Sequence, residues 1–315
     1  MGAIVTSAGQ VGVQRRSYER LYVTGREPVT EVCAVIDTLS RLEGIVTQRS
    51  RVPRAVFRLI TNQTTLETLA AEGLRSEVAA PLDHVDEAGS VFAMFAVANA
   101  KRSEPLVKRA DIIRQTTPET LAKTATAPEV DLNAWGYQLC SQLETSQFDS
   151  LQELWGPTFD WSDENISVLQ RRLNDAVNSG LWFAGVYHQS DSTQLVSAAM
   201  AEMVTLRGIS RDIPFVENSE WRTLRRHPDQ VSGLIVPVIR QLNHAIVNEV
   251  DRPFIFAECN YTTRADRRGH QAGMVIPNRT YADQILVQNV AVHDGADSHL
   301  LRDFIFMTLA ENGRS

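Results

Sequence analysis

Apolar positions along the chain follow two periods. Within Thr30–Leu42, residues Val32, Val35, Ile36, Leu39 and Leu42 step by three and four, the stripe of an amphipathic helix. Short β-branched and aromatic runs at Glu19–Thr24, Arg54–Ile60, Arg75–Ala80 and Ser90–Ala98 predict strands. A helix over Thr64–Ala71 stops at Gly73, a C-cap position. The first part therefore reads β-α-β-α-β-β.

The later part opens with a predicted helix from Leu132 to about Leu143, and Ser162 caps a second helix through Asn178, with Asp163 and Glu164 in its first turn. Leu181–His188 and Leu195–Leu206 read as antiparallel strands around the polar turn Gln189–Thr193, followed by a strand over Ile213–Thr223. Then come a helix over Val231–Val247, a strand over Pro253–Glu258 and a short helix over Arg264–Ala272. Strands over Tyr281–His293 and Leu300–Leu309 flank the turn signal Asp294-Gly295. Both parts end helix, strand, short helix with Gly, strand, strand. The segment Leu69–Val78 holds the place that His270–Pro277 holds later. This predicts a duplicated fold with one half worn down.

Between the parts, Lys101–Asp131 is polar and rich in Thr, Pro, Ala and Lys, so a linker divides residues 1–130 from a second domain at 131–315. The 315 residues, 43% hydrophobic and 22% charged, suit an α/β protein with about two domains. A net charge of -7 argues against general nucleic-acid binding, so any anion site must be local. No apolar run reaches a membrane span of about 18 residues. The start, MGAIVTSAGQ, carries no secretory signal; it fits the loose myristoylation pattern at Gly2 but reads as a plain flexible start. Cys33, Cys140 and Cys259 lie far apart, as reduced thiols of a cytoplasmic protein do. Seven scattered histidines without metal-ligand spacing predict no metal.

The chemistry concentrates in Ile213–Cys259, a strand, a loop, a helix and a strand. A strand that feeds a loop and a helix N-terminus can cradle a pyrophosphate. Gln230, Val231, Ser232 and Gly233 form that loop, and Arg222, Thr223 and Leu224 close the strand before it. Arg222, Arg225, Arg226, Arg264, Arg267 and Arg268 flank two loops after adjacent strands, and guanidinium forks suit phosphates. Their alternative is solvated surface charge. Glu217 and Glu220 are candidate bases, with Glu202 a third; ion pairing with an arginine is the alternative for each. In a regular strand Glu217 and Glu220 would face opposite sides, and a bulge would change that. Asn260 ends a strand at a predicted cleft, and Cys259 beside it reads as a small buried thiol. His270 is a candidate general acid or a surface residue. His293 reads as a hairpin residue. Trp155, Phe159, Trp161 and Trp182 could wall a pocket or fill the core.

The element order resembles the GNAT acyltransferase fold. Over most of its length the chain is similar to the β-lysine N-acetyltransferases. The similarity is carried by Glu19-Arg20-Leu21-Tyr22, Gly73–Val78 through Pro81, Ser219–Leu224, Leu286-Val287-Gln288-Asn289 and Arg302-Asp303-Phe304-Ile305 in common order. The resemblance implies an α+β mixed sheet, preceded by a degenerate half-GNAT domain. It implies acetyl-CoA or another acyl-CoA as co-substrate, direct transfer to a small-molecule amine such as an amino acid or β-amino acid, and a base at Glu217 or Glu220. A homodimer is a candidate assembly.

Three departures from the family pattern matter. The family's Gln/Arg-x-x-Gly-x-Gly/Ala loop has Ile235 where a small residue belongs. Pro237 lies early in the following helix. Gly269 stands where many relatives carry a Tyr that protonates the leaving thiolate. They leave two alternatives: a non-catalytic binding or scaffold protein, and transfer from the thioester of an acyl carrier protein.

Overall fold

The computed structural model describes residues 2–6, 9–16, 20–23, 56–71, 78–96, 130–155, 163–224, 233–260, 264–275, 286–293 and 299–309. They build two mixed sheets. The first holds β1 (Gly2–Thr6), β2 (Gly9–Arg16), β3 (Arg20–Val23), β4 (Val56–Asn62), β5 (Val78–Pro81) and β6 (Ser90–Ala96) in the order β1-β2-β3-β4-β6-β5. Helix α1 (Gln63–Ala71) follows β4, and the Asn62 side chain caps it by accepting the Thr65 N–H at 2.8 Å. Residues 2–6 and 9–10, predicted to belong to a flexible start, lie in the paired strands β1 and β2 instead: Val5, Val11 and Val13 supply β-branched positions and Gly9 opens β2.

The second sheet holds β7 (Tyr137–Cys140), β8 (Leu181–His188), β9 (Asp191–Arg207), β10 (Asp212–Thr223), β11 (Phe254–Asn260), β12 (Met274–Val275), β13 (Leu286–His293) and β14 (His299–Leu309). Its order is β12-β14-β11-β10-β9-β8-β7, with β13 on β14. Its helices are α2 (Phe148–Trp155), α3 (Asp163–Asn174), α4 (Ala176–Ser179), α5 (Ile235–Glu249) and α6 (Ala265–Gln271).

The two sheets share one order of pairings. In the first, β1, β2 and β3 are antiparallel, β3 is parallel to β4, and β4, β6 and β5 are antiparallel. In the second, β8, β9 and β10 are antiparallel, β10 is parallel to β11, and β11, β14 and β12 are antiparallel. Helix α1 sits between β4 and β5 in the chain as α6 sits between β11 and β12.

Strand parity gives the second sheet two different faces. On one, Val204, Leu206, Ile213, Phe215, Phe254, Phe256 and Phe306 meet Val78, Ala80, Leu82 and Phe92 of the first sheet. Further along the same face, Ala198 and Met200 pack against α2 and α3 through Leu151, Leu154, Trp155, Leu169 and Leu173. On the other face, Ala199, Ala201, Val216 and Ile255 pack under α5 through Leu234, Val238, Leu242 and Ile246. The first sheet is latched on by Asp86. Its carboxylate accepts the backbone N–H groups of Ile209 (2.7 Å) and Ser210 (3.0 Å) and the hydroxyls of Ser90 (2.8 Å) and Ser210. Burial alone would raise its pKa. The hydrogen bonds from Ser210, Ile209 and Ser90 outweigh that and bring it to about 2.

Most predicted elements of the second half are present, with two corrections. Leu132–Leu143 is a turn followed by β7, not a helix. Asp131 Oδ1 accepts the Ala134 N–H, Tyr137 N–H bonds back to Leu132 O at 2.7 Å, and Gly136 takes φ +69°, which ends any helix there. The next helix starts only at Phe148, after a reciprocal cap between Glu144 and Gln147. Helix α5 begins at Ile235 rather than Val231. Pro237 is then its third residue, where a missing N–H costs no helical bond and its ring meets no preceding turn. The predicted helix over Thr30–Leu42 and the strand residues 281–285 lie outside the described residues.

Candidate functional site

The parallel pair β10–β11 is short. Phe215 pairs with Phe254, Val216 with Ile255 and Glu217 with Phe256, and there the pairing ends. Both strands continue, β10 to Thr223 and β11 to Asn260, so they open into a fork at Glu217. A bulge lies at the same place. Along β9, Glu217 pairs with Glu202, Asn218 with Ala201, Glu220 with Met200 and Trp221 with Ala199. The extra residue restores a common parity to positions 217 and 220, since their partners lie two apart on β9. It also aligns Asn218 and Trp221 with the α5 face.

Each face of the fork carries its own chemistry. On the face of α2 and α3, Glu217 is buried and stands opposite Glu202. Glu202 is held by Arg172 at 2.9 Å. On the face of α5 and α6, polar atoms are left over. Asn218 and Asn243 are both 4% exposed, and Asn218 Nδ2 donates to Asn243 Oδ1 at 2.7 Å. Asn218 Oδ1, an acceptor, and Asn243 Nδ2, a donor, then have no partner among the described residues. The same is true of Trp221 Nε1 on β10 and of Asp266 Oδ1 on α6. Buried polar atoms are nearly always satisfied, and each orphan costs about 1–3 kcal/mol. Four such atoms lie on one face, on the elements that line one fork.

The floor of that face is tight. Trp221 packs against Ala257, Cys259, Met274 and Met307, crossing from β10 toward β11. A Cβ added to Gly269 would lie 3.1 Å from Met307 Sδ, 3.3 Å from Cys259 Sγ and 3.3 Å from Trp221 Cη2. A side chain at position 269 would press on all three and needs them to give way. Cys259 is buried, and burial pushes its thiol well up, with Asp266 and Glu258 adding to the effect. It is an inert thiol of the floor. Asp266 is 1% exposed, and burial pushes its carboxyl up against the opposing pull of Arg264.

The start of α5 is the predicted phosphate cradle. Gly233 takes φ +91°, a left-handed turn that favours glycine. A Cβ there would sit 3.5 Å from Arg268 Nη1, so α6 brings a guanidinium to the cradle. Arg268 is braced by Gln271 Oε1 at 2.9 Å. Ile235 is half-buried and packs against the Val216–Leu234–Val238 cluster, which draws its side chain toward the core. The first turn is nonetheless poor in free donors, because Val236 N–H bonds to Gly233 O and Pro237 has none. Gln230, Val231, Ser232, Arg225 and Arg226 lie outside the described residues.

The other expected residues are placed as follows. Arg222 is exposed near the tip of β10, and Ser197 Oγ donates to its carbonyl. Thr223 Oγ1 shares a hydrogen bond with Ser197 Oγ, and Leu224 N–H is taken by Val196 O. Arg264 is the left-handed residue before α6, at φ +61°. Asn260 closes β11 opposite Phe304, and its side chain, like that of Glu220, lies outside the description. His270 is not brought to the fork; its Nδ1 lies 3.3 Å from the Met274 carbonyl. Trp155 and Trp182 are core residues, the latter donating to Glu249 Oε2 at 2.6 Å, while Phe159 and Trp161 fall outside the described residues. His293 pairs with His299 in the β13–β14 hairpin. The sequence reading missed Asn218, Asn243 and Asp266. Polar residues at apolar-face positions of a strand and a helix were the available signal for the asparagines. Among the described residues no group of His, Cys, Asp and Glu could hold a metal, and no helix is long and apolar enough to cross a membrane.

No protein-family model and no curated protein matches the sequence. Solved structures do. NAA60 of Arabidopsis thaliana, in complex with a bisubstrate analogue, aligns over 55% of this chain and 100% of its own, at 9% identity and a TM-score of 0.39. An aminoglycoside acetyltransferase from an uncultured soil metagenomic sample, in complex with trehalose, covers 54% of this chain and 99% of its own at 11% identity and a TM-score of 0.33. An acetyltransferase of Trypanosoma brucei covers 40% and 85% at 18% identity and a TM-score of 0.31. At these scores the fold rests on the strand order itself: antiparallel arms, one short parallel pair, and a bulged fork where the pair opens.

Proposed function

We propose that this chain is an acyl-CoA-dependent N-acyltransferase, acetyl being the favoured acyl group, acting on a small amine such as an amino acid or β-amino acid. The observation that carries the reading is the fork at Glu217, where a buried carboxylate on one face backs onto four polar atoms on the other that have no partner among the described residues.

The acyl donor's arm suits the α5–α6 face. A secondary amide both donates and accepts, as the leftover pair Asn218 Oδ1 and Asn243 Nδ2 requires. Gly233 and Arg268 would hold the pyrophosphate, with Gln230, Val231 and Ser232 completing the loop and Arg222, Thr223, Leu224, Asn260 and Arg264 around it. The acyl donor supplies a thioester carbonyl that an amine attacks directly. Glu217, with Glu220 of the same parity, is the base that takes the proton from the ammonium, because only the free amine is a nucleophile. Glu202 beside it is ion-paired with Arg172. Trp221 closes the floor of the fork and must shift to admit the arm.

The poverty of donors at the start of α5 favours one second reading. An acyl carrier protein presents the same amide arm without the adenosine bisphosphate, so a weak nucleotide cradle would not matter to it. The shared order of pairings supports an origin by duplication, with residues 1–130 a degenerate copy of 131–315.

Calorimetry with acetyl-CoA, with an acylated carrier protein, and with the bare phosphopantetheine arm tests the reading. Micromolar acetyl-CoA binding is the expected result. Carrier binding alone would favour the second reading, and binding of neither would overturn both.

A further inference from the structure

Direct transfer expels an alkyl thiolate, a basic leaving group that departs faster when it is protonated as it leaves. The donor must stand on the thioester's side of the fork. Asp266 and Gly269 lie three residues apart on α6 and so share a face of that helix. Gly269 looks at Cys259, Met307 and Trp221, the floor of the fork, and Asp266 is near enough for its charge to act on Cys259. The backbone N–H of Arg267 holds the Asp266 carboxyl, while Oδ1 has no partner among the described residues. His270, one residue off that face, is engaged with the Met274 carbonyl.

We propose that Asp266 is the general acid of this chain and gives its proton to the departing thiolate sulfur. The proposal rests on the acyl-transfer reading above. Glu217 takes the ammonium proton and releases it to solvent; the free amine's lone pair then forms the C–N bond, and a second N–H proton passes to Glu217. The tetrahedral carbon then re-forms C=O and breaks C–S, and the Asp266 O–H bond supplies the proton that makes the free thiol. Asp266 is left as a carboxylate and Glu217 as an acid, and exchange with solvent resets both. Burial supports the role by favouring the protonated form of Asp266. The charged or titratable groups around it are Arg264 just before its helix, Arg267 on it, Cys259 and Glu258 on β11, and Arg240 of α5, which is held at the far end of α6 by the Gln271 carbonyl.

The test is Asp266→Asn, which keeps an oxygen for the Arg267 cap. With acetyl-CoA and a mixed pool of small primary amines, thiol release by the variant should fall about 10²- to 10⁴-fold. With an S-aryl thioacetate, whose thiolate leaves without help, the variant should match the wild type. The wild-type rate with acetyl-CoA should fall at high pH, and the variant should lose that limb. Independently of turnover, the infrared carbonyl band of a protonated carboxylic acid should be present in the free wild type and absent from the variant. Equal losses with both thioesters, or absence of that band, would overturn the acid and leave Asp266 as a structural residue of the first turn of α6. A wild type that transfers acyl groups while Asp266→Asn keeps full rate sinks this proposal alone. A wild type with no transfer from any thioester to any amine of the pool sinks the acyl-transfer reading, and this proposal with it.

Discussion

Strands β10 and β11 run through two environments that differ in almost everything except the strands themselves. At the paired end, Phe215, Phe254 and Phe256 interleave with Phe92 of the first sheet and Phe306 of β14, with ring centroids 4.3–6.4 Å apart. This is packing by area and shape. A few residues on, at the open end, Asn218, Trp221 and Asp266 hold buried polar atoms that no described residue satisfies. The paired end is built for stability. The open end gives stability up, and such local inconsistency is where function is expected.

Four changes break or sharpen this contrast. Phe215→Ala removes a fully buried ring and should cost about 3–5 kcal/mol in urea unfolding. The fraction that stays folded should keep the wild-type affinity for acetyl-CoA; a lost affinity would mean the two ends are not separable. Glu217→Gln should slow acyl transfer by about 10²-fold or more with little change in unfolding free energy. An equal fall in stability would instead make Glu217 a structural residue. Asp86→Asn tests the latch between the sheets. Its pKa of about 2 lies below the ordinary 3.8, so the carboxylate stabilises the fold above the unfolded value, and that contribution is lost as pH falls through about 2. Solvent screens this partly exposed group, so the variant should be about 1 kcal/mol less stable at pH 7 and should lose less stability than the wild type between pH 4 and 2. A flat wild-type profile there would refute the latch. The smallest stability effect belongs to the double change Asn218→Leu with Asn243→Leu. Exchanging both members of an under-satisfied pair for apolar side chains should shift unfolding by less than about 1 kcal/mol. Affinity for acetyl-CoA should fall at least tenfold, and an unchanged affinity would dissociate the orphan atoms from any guest.

Period and turn chemistry were enough to read β8, β9, β10, β11, α6 and the β13–β14 hairpin from the sequence. Their apolar alternation and their Gly or Asp-Gly stops act locally. The mistakes came where a single residue overrides a pattern. Gly136, with its left-handed turn, converts the apolar residues near Leu132 from a helix to β7, and Pro237 moves the start of α5 by four residues. The order of elements also suggested the echo between the halves, but only the shared pairings give it register. At the site, Glu217 and Gly233 were legible as a strand carboxylate and a loop glycine. Asn218, Asn243 and Asp266 were not, because what distinguishes them is a missing partner, and that is a property of packing. The bulge was foreseen only as a possibility. Its position follows from the register of β10 against β9, a contact between strands.

The most direct test of the account is calorimetric titration of the wild-type chain and of the Asn218→Leu, Asn243→Leu variant with acetyl-CoA, both shown folded by circular dichroism. Micromolar binding by the wild type, weakened at least tenfold in the variant, is the predicted result. A folded wild type that takes up no acetyl-CoA, or a variant that binds it equally well, would contradict the assignment of the β10–β11 fork as the acyl-donor site.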